Sequence, residues 1–193
     1  MTYPTVYLLR HGQTQWNVAA RLQGRLDSDL TEQGRAQALR QGALLSEHWG
    51  DLRAADILCS PLGRAQATAH LALDGLGAEF QADARLREIT AGSWDGAHLD
   101  EIARSDAPLF EQARNSFELM FLAPDGEGAQ AVIARCTDLL DALSKTSILF
   151  THGATLCVLR GLLRGLTFEE MLDLSHEQGC IYKIENGVET ILR

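Results

Sequence analysis

LLRHGQTQWN, residues 8–17, places an arginine and a histidine directly after an apolar run. TVYLLR (5–10) is short, β-prone and lacks clean alternation, which is the pattern of a strand buried on both faces. Arg10 and His11 then stand at its carboxyl end, where ligands collect in parallel sheets. SILFT (147–151) repeats the pattern and is followed by His152, and DIL (56–58) repeats it before Cys59 and Ser60. Arg10 and His11 are either a catalytic pair or only the polar end of a strand. What else reaches that edge decides between the two.

Helical signals follow each of these runs. Thr31 is expected to cap EQGRAQALRQGALLSEH, and Pro61 fits the first turn of a helix running through RAQATAHLAL. A third helix, from about 126 to 143, carries Val132, Leu139, Leu140 and Leu143 at helical spacing, and a fourth starts just after His152. CIYKIENGVETILR forms two alternating segments around Asn186-Gly187, the strongest hairpin signal in the chain. The expected fold is α/β, with a mainly parallel sheet and helices on both faces. Between about 97 and 125 the pattern changes to one or two short helices, interrupted by Pro108 and ended near Pro124. We read this as a cap insertion over one sheet edge, within a single domain spanning 1–193.

At 193 residues the chain can bury a full core without disulfides. Cys59, Cys136, Cys157 and Cys180 lie far apart without a CxxC pair, so they read as small buried hydrophobes and not as a zinc or redox motif. The N-terminus has no leader pattern and no run reaches membrane-spanning length, so a cytoplasmic protein is expected. A net charge of -9 argues against nucleic acid or an anionic membrane as partner. It leaves a small anionic substrate open, because a local arginine cluster can reverse the potential over a few ångströms. A homodimer is also left open.

Arg10, Arg64 and His152 all fall at one predicted sheet edge, beside His11. Several cationic groups converging there would repel one another without an anion, so a phosphate-like ligand is the economical explanation. No histidine spacing suggests a metal, no cofactor is implied, and no GxxxxGK[ST] phosphate loop is present.

With these residues in view, the chain resembles the histidine phosphatase superfamily, also called the phosphoglycerate mutase-like family, whose core reads RHGxTxxN. The resemblance runs in order through RLQGRLDSDLTEQGRAQA (21–38), SPLGRAQATA (60–69), LREITAGSWDG (86–96), APDGEG (123–128) and THGAT (151–155). It implies a three-layer sandwich and a metal-independent, histidine acid-type phosphatase. By that resemblance His11 is the nucleophile that becomes phosphohistidine, and Glu88 is the proton donor and later the base for water. Arg10, Arg64 and His152 hold the phosphoryl oxygens, Asn17 adds a hydrogen bond, and the backbone after His152, from Gly153 on, adds positive potential. Gln23 and Gly24 line the substrate pocket near the phosphate, with Gln13 and Thr14 close by. Asp95 is a weaker candidate for the proton donor, and a capping role is expected around Glu127.

The same resemblance separates a phosphatase from its main rival, a cofactor-dependent phosphoglycerate mutase. Mutases carry an ERHYG-like stretch and HGNS where this chain has EITAGSWDG and HGATL, and their insertion is longer. Asp29, Cys157 and Gly128 also depart from the common pattern. The expected activity is hydrolysis of a small phosphorylated metabolite; a protein phosphatase or silent binding module is the third alternative. Specificity is expected from Arg104, Phe110, Arg114, Phe117 and Phe121, and core packing from Trp16 and Trp94.

Overall fold

The computed structural model describes residues 3–49 and 52–193. In chain order it contains β1 (Val6–Arg10), α1 (Gln15–Val18), α2 (Glu32–His48), β2 (Asp56–Cys59), α3 (Gly63–Leu73) and β3 (Gln81–Ala82). These are followed by α4 (Leu99–Ser105), α5 (Ala107–Gln112), α6 (Ser116–Leu122), α7 (Gly128–Asp141) and β4 (Ser147–Thr151). The chain finishes with α8 (Gly153–Arg164), α9 (Phe168–Leu172), β5 (Ile181–Glu185) and β6 (Val188–Leu192).

The six strands form one sheet in the order β3-β2-β4-β1-β5-β6. The first four are mutually parallel, and β5 and β6 join antiparallel. The sheet is thus mixed, with a parallel centre. Register brings Arg10 opposite Thr151, so the carboxyl ends of β1 and β4 finish together.

Alternation along β1 sends Val6 and Leu8 into one hydrophobic layer and Tyr7 and Leu9 into the other. The first layer packs against α7, α8 and α9; the second packs against α2 and α3. This is a three-layer α/β sandwich. Both faces of the central strands are dry, which explains why their sequences are continuous apolar runs.

Local chemistry sets several element boundaries. Thr31 caps α2 by accepting from the Gly34 N–H at 3.0 Å. Asn186 and Gly187 both have positive φ, 52° and 77°, as a two-residue hairpin turn between β5 and β6 requires. Pro61 lies ahead of α3, outside the helix. That end is capped from another loop, where the Asp27 carboxylate accepts from the Gly63 and Arg64 N–H groups at 2.8 and 3.2 Å. Sequence spacing could not reveal a cap supplied from 36 residues away.

Residues 97–125 hold three short helices, one more than expected. Pro108 sits in the first turn of α5 and starts that helix where an interruption was expected. Phe117, Leu119 and Met120 of α6 enter the same hydrophobic layer as α7 and α8. No helix among the described residues is long and apolar enough to cross a membrane.

The loop after β1 is wedged against α2. A Cβ on Gly34 would lie 2.0 Å from the Gln13 carbonyl oxygen, and one on Gly12 would lie 2.2 Å from the Gly34 carbonyl oxygen. Replacing a helical glycine by alanine ordinarily stabilises by up to about 1 kcal/mol, whereas overpacking costs about 1–3 kcal/mol. The clash is with rigid backbone, so overpacking wins. Gly34→Ala is expected to lower the urea midpoint by an amount equivalent to about 2 kcal/mol. A midpoint at or above wild type would show that the wedge is loose.

Candidate active site

Beyond the carboxyl ends of β1 and β4 lies a cavity of about 100 Å³, lined at its base by Arg10, His11, Arg64, Glu88, Gly153 and Ala154. This volume is far below the roughly 300–1,000 Å³ of sites that enclose a whole drug-sized ligand, and it suits a compact group. A larger open hollow of about 830 Å³ lies against α3 and residues 74–80, but its lining has one histidine and no arginine. The chemistry-bearing side chains converge on the small cavity.

His11 is almost fully buried. Its Nδ1 lies 2.7 Å from the Gly12 carbonyl oxygen, an acceptor only, so Nδ1 carries the proton. Nε2 is left with a lone pair, which accepts from Arg64 Nε at 3.3 Å. Burial, and then the charges of Arg64 and Arg10, hold the His11 pKa well below the usual 6.5, so the ring is neutral near pH 7. This tautomer points an unprotonated nitrogen at the Arg64 guanidinium.

Arg64 is fixed from behind. Nη1 donates to the Leu26 carbonyl at 2.6 Å and to Asp27 at 2.9 Å, and Nη2 donates to the Gly24 carbonyl at 2.8 Å. Asp27 therefore serves both the helix end and the guanidinium. Arg10 donates from Nη1 to the His176 carbonyl at 2.7 Å, while its buried Nε has no partner among the described residues.

Glu88 also lines the cavity. Its Oε2 accepts from the Ala154 N–H, and Oε1 accepts from the Thr155 and Ile89 N–H groups, each at 3.1 Å. At the start of α8, where the backbone was expected to add positive potential, the Ala154 and Thr155 amides donate to this carboxylate. Gly153 is the part of this turn that faces the cavity alongside Ala154.

The remaining predicted residues separate into those the fold brings together and those it does not. Asn17 and Gln23 line the cavity, and buried Gln23 Oε1 has no partner among the described residues. Asn17 Oδ1 is taken by the Thr14 N–H at 3.0 Å and by Gln178 Nε2 at 3.3 Å. Gly24 is not among the lining residues; its carbonyl holds Arg64, and a Cβ there would strike Asp95 at 1.7 Å. His152 also lies outside the lining, fully buried beside His11 with ring centroids 5.2 Å apart and Nε2 2.7 Å from Ser60 Oγ. Gln13 and Thr14 serve the loop: the Gln13 carbonyl accepts from the Thr31 N–H, and Thr14 caps α1.

Asp95 is no proton donor to this cavity, because it knots its own turn by accepting from Thr90 Oγ1 and the Ala91 N–H at 2.7 and 2.8 Å. Glu127 makes no side-chain cap on α7; it grips Arg135 at 2.7 Å and Arg25 at 3.2 Å. Of the five residues expected to give specificity, Phe117 alone is in the lining, and Arg114 is paired with Glu118 and Asp173. Trp94 is buried, while half-buried Trp16 stacks under Arg21. Sequence reasoning passed over Arg21, Leu22, Ser116, Met120 and His176, which also line the cavity. Arg21 stood inside a matched block and could have been found there; His176 lay in no motif.

His152 shares the behaviour of His11, its pKa held well below 6.5 by burial and then by Arg64. In the unfolded chain each ring takes up a proton near 6.5, and the folded protein refuses it until a lower pH. As pH falls through 6.5 the unfolded state binds more protons, so stability falls, by about 1.4 kcal/mol per pH unit for each such histidine. Urea midpoints measured from pH 8 to 5 should decline below pH 6.5, and His11→Asn, which leaves His152 in place, should make the decline shallower. A profile level through this window would contradict buried neutral histidines.

A model of the histidine phosphatase superfamily, branch 1, matches residues 6–190. A probable phosphoglycerate mutase, GpmB, from Cronobacter sakazakii is 35% identical over 166 residues, which is 83% of this chain and 75% of that protein. Among solved structures, YhfR from Bacillus stearothermophilus is 31% identical with a TM-score of 0.81, covering 97% of this chain and 95% of its own. The alpha-ribazole phosphatase from Shigella flexneri is 29% identical with a TM-score of 0.79, covering 98% and 94%.

Proposed function

The chain belongs to the histidine phosphatase superfamily, branch 1, and from that membership we propose that it hydrolyses a small phosphomonoester through a phosphohistidine on His11. The observation that carries this reading is the His11 tautomer: a proton fixed on Nδ1 by Gly12, and Nε2 free to attack beside Arg64.

In the proposed cycle the phosphoryl group displaces the Arg64–His11 contact and lies between Arg64 Nε and the unpartnered Nε of Arg10. These cations stabilise the charge on the equatorial oxygens of an in-line transition state. Nε2 of His11 forms a bond to phosphorus as the ester P–O bond breaks, and the leaving oxygen takes a proton from Glu88. Water then attacks phosphorus, Glu88 recovers a proton from it, and the N–P bond breaks to release inorganic phosphate and neutral His11. His152, whose buried Nδ1 has no partner among the described residues, would donate to the phosphoryl group once that group is carried on the neighbouring ring. The preorganised arginines would supply charge neutralisation without reorganising at the moment of reaction.

Phosphoglycerate mutase activity is the second reading, carried by the name of the Cronobacter relative. Against it, residues 89–96, which stand where mutases resemble one another, are absent from the cavity lining and include the Asp95 knot.

Release of inorganic phosphate from a panel of phosphomonoesters tests the proposal, together with acid-labile phosphate retained on the protein. His11→Ala is expected to abolish both. Arg64→Lys, which loses the planar fork, should lower turnover by about 100-fold or more. Phosphoryl transfer to phosphoglycerate outrunning release to water would replace the phosphatase reading with the mutase. Full turnover by His11→Ala would end both.

A further inference from the structure

The carboxylate of Glu88 is held unevenly, and the asymmetry continues away from the cavity. Oε1 accepts two backbone N–H groups, from Ile89 and Thr155, which fill its two lone-pair directions; Oε2 accepts one, from Ala154. Only Oε2 keeps a lone pair for a transferable proton. Thr155 Oγ1 lies 3.3 Å from Oε1 but only 2.7 Å from the Arg87 carbonyl, so its single proton goes to Arg87. Arg135 Nη2 donates to the same Oγ1 at 3.3 Å and is itself gripped by Glu127 at 2.7 and 3.3 Å. Arg135 Nη1 also donates to the Arg85 carbonyl.

These contacts run in one line from α7 to the proposed proton donor. Glu127 fixes the Arg135 guanidinium, Arg135 fixes the Thr155 hydroxyl, and the hydroxyl ties α8 to the backbone immediately before Glu88. Thr155 is fully buried, and Glu127 and Arg135 are mostly so, which keeps water from substituting for either bond. We propose that Thr155, backed by Arg135 and Glu127, is a positioning residue that orients Glu88 so that Oε2 is the oxygen delivering the proton to the leaving group. The proposal rests on the phosphatase reading above. Thr155 touches no reacting atom; it acts through Glu88.

Such a role predicts a dependence on the leaving group. An alkyl phosphate needs its leaving oxygen protonated as the ester bond breaks, whereas p-nitrophenyl phosphate expels an anion that needs little help. Single-turnover ester cleavage would be followed for n-butyl phosphate and p-nitrophenyl phosphate in wild type, Thr155→Val, Thr155→Ala and Thr155→Ser. Losing the hydroxyl should slow n-butyl phosphate cleavage by about tenfold or more and p-nitrophenyl phosphate cleavage by less than about threefold, part of the roughly 10²–10⁴-fold that general acid catalysis supplies. Half-saturating concentrations should stay within about twofold, and Thr155→Ser should recover most of the loss on the alkyl ester.

If Thr155→Val fails to fold, Thr155→Ala carries the same comparison. Equal losses on both esters, a loss confined to half-saturation, or a serine variant no better than valine would overturn the positioning role. Absence of acid-labile phosphate on wild type would instead overturn the phosphatase reading, and this proposal with it. The two failures are therefore read by different assays.

Discussion

Everything at this site depends on β1 and β4 lying side by side in parallel, with Arg10 opposite Thr151. A slip of one residue in that pairing would turn every side chain of β1 to the other face. Val6 and Leu8 would trade layers with Tyr7 and Leu9, and two hydrophobic layers of different shape would both be wrong. The same register ends both strands at one level, which leaves His11 and His152 with their rings 5.2 Å apart. The packing of the core therefore fixes the spacing of the two histidines.

The second constraint is electrostatic. Buried Arg64 and half-buried Arg10 stand beside two buried histidines, in a protein whose overall charge is -9. Such an arrangement persists because each cation is bonded from behind: Arg64 to Asp27 and two carbonyls, Arg10 to the His176 carbonyl. The histidines respond by staying neutral. Neutral rings between fixed cations are what a nucleophile for an anionic ester requires, and they are also an acid-sensitive point in the fold.

Much of this was legible in the sequence because the signals were local. The apolar runs of β1 and β4, the Thr31 cap and the Asn186-Gly187 turn each depend on neighbours a few residues away. Arg10, His11, Arg64 and Glu88 were readable because they sit in ordered blocks resembling a known family. What escaped depends on contacts across the fold. Gly24 looked like a pocket residue and is a carbonyl support for Arg64; Glu127 looked like a cap and is half of an ion pair with Arg135. His152 is fully buried beside His11, outside the cavity lining, where its Nε2 meets Ser60 Oγ. His176 carries no motif, and its backbone oxygen, which any residue would supply, is what holds Arg10.

β1 is the third strand from one end of the sheet counted from β6, yet both of its neighbours are made long after it. β4 begins at Ser147 and β5 at Ile181. The groups holding Arg10 and His11 in place, the His176 carbonyl and the Gln178 side chain, lie 166 and 167 residues downstream. During synthesis from the N-terminus, the strand bearing the proposed nucleophile must wait unpaired until β4 has emerged, and half-paired until β5 follows. Contacts of such long range make folding slow and leave apolar edges open in the interval. A truncated or stalled chain would hold the RHG motif and still have no site.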